Sequence, residues 1–349
     1  MAARTVAPGA YVGVDSGGTR TNVAVCIVAP DGSAETRSYE VPESLGGALP
    51  VDLLPDTLWK ILARLERMAA ELEGLPVHVW ISAAGFTPWT RPEFLGALED
   101  LVPRLLDGSV RRAAAANDGV SLLLGHNADC IVIAGTGSTV IVRSDGELHQ
   151  SGGHEWVACD QGSGFWIALH GIRKAYKDLE SGLVDSALLN RMRKMYDAPD
   201  DRRVVEKMRY LAMTTEDTKK EIARFAGEVC DAAERGDADA QDIVKAEAED
   251  LADLAAGALR RTFNRARLSS GVSLVQCGSI LGNRFYREIF NAQLKNRLRS
   301  EDQREARLDC RQVTMGRDAA VRLAQDLSVE PSTFDRLGQD FAPAVADWT

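Results

Sequence analysis

Residues 11–28 read YVGVDSGGTRTNVAVCIV, and this stretch decides the fold. Two short apolar runs rich in β-branched residues flank a glycine pair, which is the pattern of a β-hairpin. The first run ends at Asp15, and the turn offers two glycines and two hydroxyl side chains: Gly17, Gly18, Thr19 and Thr21. Glycine lets backbone N–H groups approach an anion, and a carboxylate can hold a hydrated divalent ion beside it. The stretch favours a phosphate-binding hairpin over an ordinary one, whose turn would need glycine for geometry alone.

The composition narrows the classes of protein to consider. The 349 residues suffice for two domains, and 45% hydrophobic with 26% charged residues is typical of a soluble globular protein. The net charge of −10 is repelled by nucleic acids and anionic membranes, so we expect neither as a partner. We find no membrane-spanning apolar run and no secretory signal, and the six cysteines lack metal or redox spacing. These features predict a cytoplasmic protein.

A second glycine hairpin is predicted at residues 129–143. The apolar run 129–134 is followed by a short turn and by a second apolar run, 140–143. The turn consists of Gly135, Thr136, Gly137 and Ser138. Two such hairpins indicate two related lobes whose turns grip the phosphates of one nucleotide, because opposed backbone donors would surround them. A plain hairpin is the alternative for each turn taken alone.

An acidic residue lies between the two hairpins, where an alanine-rich run ends at Asn117-Asp118-Gly119. The apolar residues 120–124 then predict the start of a helix. At such a strand-to-helix junction Asp118 could act as a general base that takes a proton from a substrate hydroxyl. Alternatively, Asp118 could only cap the helix. The presence of both phosphate turns favours the base.

Residues 151–168 interleave glycine, polar and aromatic side chains without a core-like period. Carboxylate and imidazole groups bind sugar hydroxyls and aromatic rings face sugar rings, so this segment predicts a sugar pocket. His154 and Glu155 are its most informative polar residues, and His154 does not suit zinc because no Cys or His partner is near. Core packing explains Trp166 better than sugar binding does. Further along, the charged run 216–221 predicts a solvated helix face.

Five motifs occur in the order that a known superfamily uses. They are Asp15 to Thr21, Asn117-Asp118, Gly135 to Ser138, Gly152-Gly153 with 160–164, and residues 272–280. In these motifs the chain resembles the N-acetylglucosamine kinase and benzoyl-CoA-reductase ATPase branch of the actin-like, sugar-kinase and Hsp70 ATPase superfamily. The resemblance extends over residues 10–325, nearly the whole chain.

The resemblance implies an α/β fold with two actin-like, ribonuclease H-like lobes and a nucleotide cleft between them. Residues 1–115 would form the N-terminal lobe with the first phosphate motif. Residues 116–325 would form the C-terminal lobe with the catalytic Asp, the second phosphate motif and the adenosine motif, and residues 326–349 would be a C-terminal tail. Relatives of this kind also suggest a homodimer.

The resemblance further implies roles for individual residues. Positions expected to bind the ATP phosphates are Asp15, Gly17, Gly18, Thr19, Thr21, Gly135, Thr136, Gly137 and Ser138. Positions expected to bind adenosine are Gly278, Ser279 and Asn283. Positions expected to bind the substrate are Ser82, Asn117, Asp118, Gly153, His154, Glu155 and Asp160. Asp118 would be the catalytic base, and Asp15 and Asp160 would hold Mg²⁺ through water.

The implied activity is ATP-dependent phosphorylation of an amino sugar, glucosamine or N-acetylglucosamine, at its 6-hydroxyl. Two departures from the family pattern bear on the substrate: Gln161 replaces a Glu, and Glu155 adds a carboxylate that would favour an ammonium group. An ATPase that activates a dehydratase or reductase is one alternative, although the local cysteine pair of those proteins is missing. A non-catalytic nucleotide or sugar sensor is the other, and Gln161 is the residue that favours it.

Overall fold

The computed structural model describes residues 6–17, 20–46, 49–63, 65, 69–105, 109–183, 185–214, 218–299, 306–313, 316–329, 334, 337 and 340–348. Its strands are β1 (Gly9–Ser16), β2 (Thr21–Val28), β3 (Ala34–Val41), β4 (Val77–Ala83), β5 (Val110–Asn117), β6 (Cys130–Ala134), β7 (Ser138–Ser144), β8 (Glu147–Gly152), β9 (Val272–Cys277), β10 (Leu308–Gln312) and β11 (Ala344–Asp347). Its helices are α1 (Leu54–Leu62), α2 (Ala69–Leu72), α3 (Arg91–Leu105), α4 (Asp118–Gly125), α5 (Gly164–Glu180), α6 (Ala187–Met195), α7 (Asp201–Thr214), α8 (Thr218–Ala223), α9 (Ala226–Glu234), α10 (Ala238–Thr262), α11 (Arg265–Ser270), α12 (Ser279–Gly282), α13 (Arg284–Leu298) and α14 (Arg317–Val329).

The chain divides into two compact units. The first contains Met1–Ala128, Asp145–Leu148 and Met315–Thr349, and the second contains Asp129–Ser144 and His149–Thr314. In this division α4 and α14 group with the first sheet, because they pack against each other and against its strands β4 and β5. The lobe boundaries expected from the resemblance stay a prediction.

The first unit contains a six-stranded mixed sheet with the order β11-β5-β4-β1-β2-β3. β1 and β2 are antiparallel, from Gly9 opposite Val28 to Ser16 opposite Thr21, which confirms the first predicted hairpin. β1, β4 and β5 are parallel neighbours, so their carboxyl ends meet at one edge of the sheet. In a half-exposed strand, buried and exposed side chains alternate. Every residue of β4 is buried instead, because helices cover this sheet.

Close packing of α14 on β1 depends on one glycine. A Cβ at Gly13 would lie 2.5 Å from the backbone nitrogen of Val321 and 2.8 Å from the carbonyl oxygen of Arg317. Because both neighbours are backbone atoms, a side chain at this position would force the helix away from the strand. Gly13 therefore fixes the distance at which the C-terminal helix covers the first sheet.

The second unit contains a five-stranded sheet with the order β10-β9-β6-β7-β8. β6 and β7 pair antiparallel from Cys130 opposite Val142 to Ala134 opposite Ser138, which confirms the second predicted hairpin. The longest described helix of the second unit, α10, buries a face rich in alanine, including Ala248, Ala252 and Ala255. Such small residues allow α10 to pack closely against its neighbours, among them α9, α13 and β7.

The C-terminal segment adds ordered structure to the first unit. β11 pairs antiparallel with β5, and the ring of Phe334 lies 4.8 Å from that of the buried Trp80. The described residues of the segment 326–349 thus include an edge strand as well as the end of α14. Across the described ranges, no helix has the length and apolarity needed to cross a bilayer.

Candidate functional site

The carboxyl ends of β1, β4 and β5 bring together four predicted site residues of the first unit. Asp15 lies opposite Ser82 in the β1–β4 register, and Ala83 lies opposite Asn117 in the β4–β5 register. Asp118 follows directly as the first residue of α4. Ligands bind preferentially at the carboxyl ends of parallel strands, so this edge is the natural place for a reacting group.

Asn117, rather than Asp118, caps helix α4. The Asn117 side-chain oxygen accepts hydrogen bonds from the backbone N–H groups of Gly119, at 2.9 Å, and Val120, at 3.4 Å. Ser121 Oγ donates to the Asn117 carbonyl and accepts from the indole of the buried Trp80, which anchors this turn to β4. Because Asn117 takes the capping role, the alternative role considered for Asp118 is largely filled by its neighbour.

Asp118 carries a half-buried carboxyl group whose Oδ1 accepts the N–H of Gly119 at 2.8 Å. Burial raises the pKa of Asp118, although the hydrogen bond from Gly119 partly opposes the rise. A carboxylate with a raised pKa is a stronger base, and its Oδ2 has no bonding partner among the residues that the structure describes. The group can therefore accept a proton from a bound hydroxyl.

Asp15 lies near enough to Asp118 for their charges to interact. Burial and the charge of Asp118 raise the pKa of Asp15 from its ordinary value of 3.8 to about 6, against the N–H of Gly316 and the charge of Arg317, which lower it. The Gly316 N–H donates to Asp15 Oδ2 at 3.1 Å, and a Cβ at Gly316 would overlap the carboxylate. Gly316 is therefore a site residue that sequence reasoning missed.

The raised pKa of Asp15 predicts a pH-dependent stability difference. Because the unfolded carboxyl ionises near pH 4 and the folded one near pH 6, stability is lost as the pH rises through this window. Asp15→Asn keeps an acceptor for Gly316 and removes the charge. We expect it to raise the free energy of unfolding by about 3 kcal/mol at pH 7, and by almost nothing near pH 3.5. Urea denaturation at both pH values measures this, and a difference independent of pH would contradict it.

The first glycine turn is only partly described, and Gly18 and Thr19 lie outside the described residues. Gly17 donates its N–H to the Arg20 carbonyl at 3.2 Å. The Thr21 hydroxyl is buried, donates to the Glu43 carbonyl at 2.7 Å and lies 2.6 Å from Ser16 Oγ. The Thr21 hydroxyl thus holds the segment after β3 against the turn, and its proton is already used within the protein.

The second glycine turn is tied to the start of α5 in the second unit. Gly135 donates its N–H to the Gly137 carbonyl, while the Gly135 and Thr136 carbonyls accept from the N–H groups of Gly164 and Phe165. Ser138 Oγ donates to the Gln161 carbonyl at 2.7 Å. These bonds hold the turn rigidly against the predicted substrate segment.

Asp160 lies directly against this turn. Its side chain is 3% exposed, its Oδ1 accepts the Ser138 N–H at 3.2 Å, and a Cβ at Gly137 would lie 2.9 Å from its Oδ2. The residue adopts φ of 68°, a left-handed conformation that Asp and Asn tolerate better than most residues. Glycine at 137 is thus needed for the turn to approach the Asp160 carboxylate.

Lys219 contradicts the prediction of a solvated helix face for residues 218–221 of the run 216–221, of which residues 216 and 217 lie outside the described residues. Its ammonium group lies 2.8 Å from Asp160 Oδ2 and 2.8 Å from Glu155 Oε2. Burial alone would lower the pKa of Lys219, but the two carboxylates raise it, so the group stays charged. Sequence reasoning missed this contact because α8 lies far along the chain from Asp160, and a lysine in a charged run carries no local sign of burial.

Other predicted substrate residues are exposed in the second unit. Gly153, His154 and Glu155 face solvent, and Gln161 does as well. The ring of Trp156 packs 5.1 Å from that of Phe165 while remaining 42% exposed. An exposed ring beside polar side chains is what a sugar-binding surface requires, and the Glu155 carboxylate shares the one ammonium group of Lys219 with Asp160.

The predicted adenosine segment follows β9. Gly278 has φ of 103°, and Ser279 begins α12 directly after it. Asn283 caps α13 by accepting the N–H of Tyr286 at 2.9 Å, and its amide nitrogen donates to Glu234 Oε1 at 2.8 Å. The described contacts of the Asn283 side chain are thus structural. Gly278 and Ser279, in contrast, form a glycine turn at the end of β9, as the adenosine motif requires.

A buried network that sequence reasoning missed holds the neighbouring turn at Gly162. The Gly162 N–H donates to Glu247 Oε2 at 2.8 Å, and its carbonyl accepts from the Tyr286 hydroxyl at 2.7 Å. Glu247 Oε1 lies 2.8 Å from His170 Nδ1. No local pattern marks Glu247, because it lies on a helix with many other charged residues.

Asp15 and Asp160, the two carboxylates expected to hold Mg²⁺, have different surroundings. Among the described residues, no cluster of three or more His, Cys, Asp and Glu side chains is arranged around a metal position. Asp15 fits a hydrated ion, because a divalent cation would relieve its repulsion from Asp118. Asp160 already has the ammonium group of Lys219 as its cation.

Solved structures similar to this one share its fold. A candidate N-acetylglucosamine kinase from Chromobacterium violaceum aligns over 91% of this chain and 99% of its own, with 20% identity and a TM-score of 0.65. The corresponding candidate from Porphyromonas gingivalis aligns over 91% and 100%, with 18% identity and a TM-score of 0.64. A ROK family glucokinase from Streptomyces griseus, in complex with glucose and AMPPNP, aligns over 91% and 99%, with 15% identity and a TM-score of 0.53.

These likenesses confirm the predicted fold class, the α/β fold of the two-lobed, actin-like sugar kinases. Among curated proteins, the comparison found no match to the sequence. The family model described as the BadF/BadG/BcrA/BcrD ATPase family matches residues 12–308, which is most of the chain and includes the motifs from Asp15 to residue 280. The chain belongs to the BadF/BadG/BcrA/BcrD ATPase family.

Proposed function

We propose that this protein is an ATP-dependent kinase that phosphorylates an amino sugar, glucosamine or N-acetylglucosamine, at the 6-hydroxyl. One observation carries the proposal: Asp118 offers a carboxylate of raised pKa at the carboxyl ends of three parallel strands, next to Asp15. Family membership supports the use of ATP. Two structural relatives that are candidate N-acetylglucosamine kinases suggest the sugar class. A cytoplasmic location and a homodimer belong to the same proposal.

In the proposed reaction, Asp118 orients the sugar hydroxyl and takes its proton. The sugar oxygen forms a bond to the γ-phosphorus while the bond from that phosphorus to the β–γ bridging oxygen breaks, which leaves ADP. In the turn Gly135–Ser138, the N–H groups of Thr136 and Gly137 bind phosphate oxygens as negative charge develops on them. The N–H groups of Gly135 and Ser138 are used by the Gly137 carbonyl and by Asp160. Mg²⁺, when bound, supplies charge neutralisation at the phosphates, and Asp15 would hold it through water.

The specificity within amino sugars is set less by Glu155 than its charge suggests. A free carboxylate would favour the ammonium group of glucosamine over the acetamide of N-acetylglucosamine. Because Glu155 Oε2 shares the Lys219 ammonium group with Asp160, that preference is reduced but not abolished. Both sugars therefore remain within the proposed substrate class.

A coupled ADP-release assay over a sugar panel tests the proposal. We expect glucosamine or N-acetylglucosamine to raise ADP release at least about tenfold above a sugar-free reaction and above glucose, since only a bound acceptor presents a hydroxyl to Asp118. Equal release without sugar would instead support an ATPase. Tight nucleotide binding without any release would support a sensor, and a preference for glucose would contradict the amino-sugar assignment.

A further inference from the structure

A lysine supplies the positive charge at the second glycine turn. Lys219 Nζ lies 2.8 Å from Asp160 Oδ2, and the Asp160 side chain is 3% exposed. A carboxylate buried to this degree is costly unless a cation neutralises it. Lys219 also binds the much more exposed Glu155, so one ammonium group bridges two carboxylates.

The Asp160 charge matters because of where the other carboxylate oxygen points. Asp160 Oδ1 accepts the N–H of Ser138, so the carboxylate lies directly beside the turn whose other N–H groups are expected to bind phosphate. The same carboxylate also sits against Gly137, where a Cβ would lie 3.1 Å from Oδ1. Without a cation, this negative charge would repel any phosphate brought to the turn.

We propose that Lys219 is a built-in counter-ion of the phosphate turn Gly135–Ser138, which lets the turn bind polyphosphate without a metal ion at Asp160. The inference rests on the proposed function and deepens it, because it names the residue that controls anion binding there. Lys219 occupies the position at Asp160 that a divalent cation would otherwise take. Removing the lysine should therefore create a need for such a cation.

Two substitutions test the inference because they act in opposite directions. Lys219→Gln leaves Asp160 unneutralised, whereas Asp160→Asn leaves the lysine with only Glu155 and adds net positive charge. Asn can keep the acceptor for Ser138 and suits φ of 68°. Lys220→Gln, which removes the same charge from the next position of α8, is the matched control.

The measurement is the affinity for ADP by calorimetry, with EDTA and then with Mg²⁺. Without metal, we expect Lys219→Gln to weaken ADP binding by about tenfold or more, and Asp160→Asn to strengthen it by about threefold. Mg²⁺ should restore most of the affinity of Lys219→Gln and should improve it more than it improves the wild type. Lys219→Arg and Lys220→Gln should stay within about twofold of the wild type.

Several results would overturn the inference. Wild-type ADP affinity in Lys219→Gln without metal would show that the lysine does not control the turn. Weakened binding in both Lys219→Gln and Asp160→Asn would point to a damaged structure rather than to charge. A wild-type protein that binds no ADP would overturn the proposed function and the inference together, whereas the first two results leave the proposed function standing.

Discussion

Asp118→Asn is expected to lower the rate of sugar phosphorylation by about 10³-fold while nucleotide affinity stays near that of the wild type. The amide has no basic oxygen, so it leaves the sugar hydroxyl protonated as that oxygen attacks phosphorus. The fold should survive, because Asn can still accept the N–H of Gly119 and because Asn117, the actual cap of α4, is unchanged. The loss should therefore appear in kcat and leave ADP binding intact.

A remote acidic residue provides the control. Asp56→Asn removes a carboxylate from the exposed first turn of α1, which is not part of the proposed site at the strand ends. This variant should leave the rate unchanged. Unfolding by urea checks that Asp118→Asn is folded, and we expect it to be at least as stable as the wild type, since burial disfavours the charge of Asp118. Wild-type turnover in Asp118→Asn would remove this residue from the mechanism.

Gly278→Ala is expected to destabilise the second unit by about 4 kcal/mol or to prevent recovery of folded protein. A Cβ at this position would overlap the carbonyl oxygen of Ala134 and lie 2.5 Å from its carbonyl carbon. Ala134 is the last residue of β6 and precedes the glycine turn, so the clash falls on backbone with no flexible side chain to move. The φ of 103° adds strain for any residue with a Cβ.

Gly236→Ala separates strain from collision. Gly236 has a similar φ of 93°, but a Cβ there would meet nothing within 4 Å. Backbone strain alone should cost about 1 kcal/mol, so the two variants should differ by about 3 kcal/mol in the free energy of unfolding. Equal losses in both would show that the close approach of Gly278 to Ala134 does not constrain the fold.

Local patterns predict the two hairpins because each depends on neighbouring residues. Apolar runs around Gly17 and around Gly135 specify strand, turn and strand within a few positions, and the pairings β1–β2 and β6–β7 confirm them. The fold class, predicted from five motifs in a fixed order, is confirmed by the similar solved structures. The match of a family model to residues 12–308 confirms the resemblance.

Contacts between distant segments could not be predicted in the same way. Gly316 reaches Asp15 only because α14 packs on β1, and nothing in the sequence near Gly316 indicates that contact. A run of charged residues predicts a solvated face, and Lys219 lies in such a run. Its pairing with Asp160 depends on tertiary packing, which the run does not indicate. The roles assigned to individual site residues stay predictions. The side-chain oxygens of Thr21 and Asn283 already make hydrogen bonds within the protein, so these residues would have to bind nucleotide through other atoms.

The fate of the γ-phosphate of ATP tests the central claim most directly. Phosphorus NMR of the wild-type reaction with glucosamine and with N-acetylglucosamine distinguishes a sugar monoester from inorganic phosphate. The account predicts a 6-phosphate ester of at least one of these sugars, formed in equal amount with ADP and absent from the Asp118→Asn reaction. Release of inorganic phosphate alone, at the same rate with and without sugar, would contradict it.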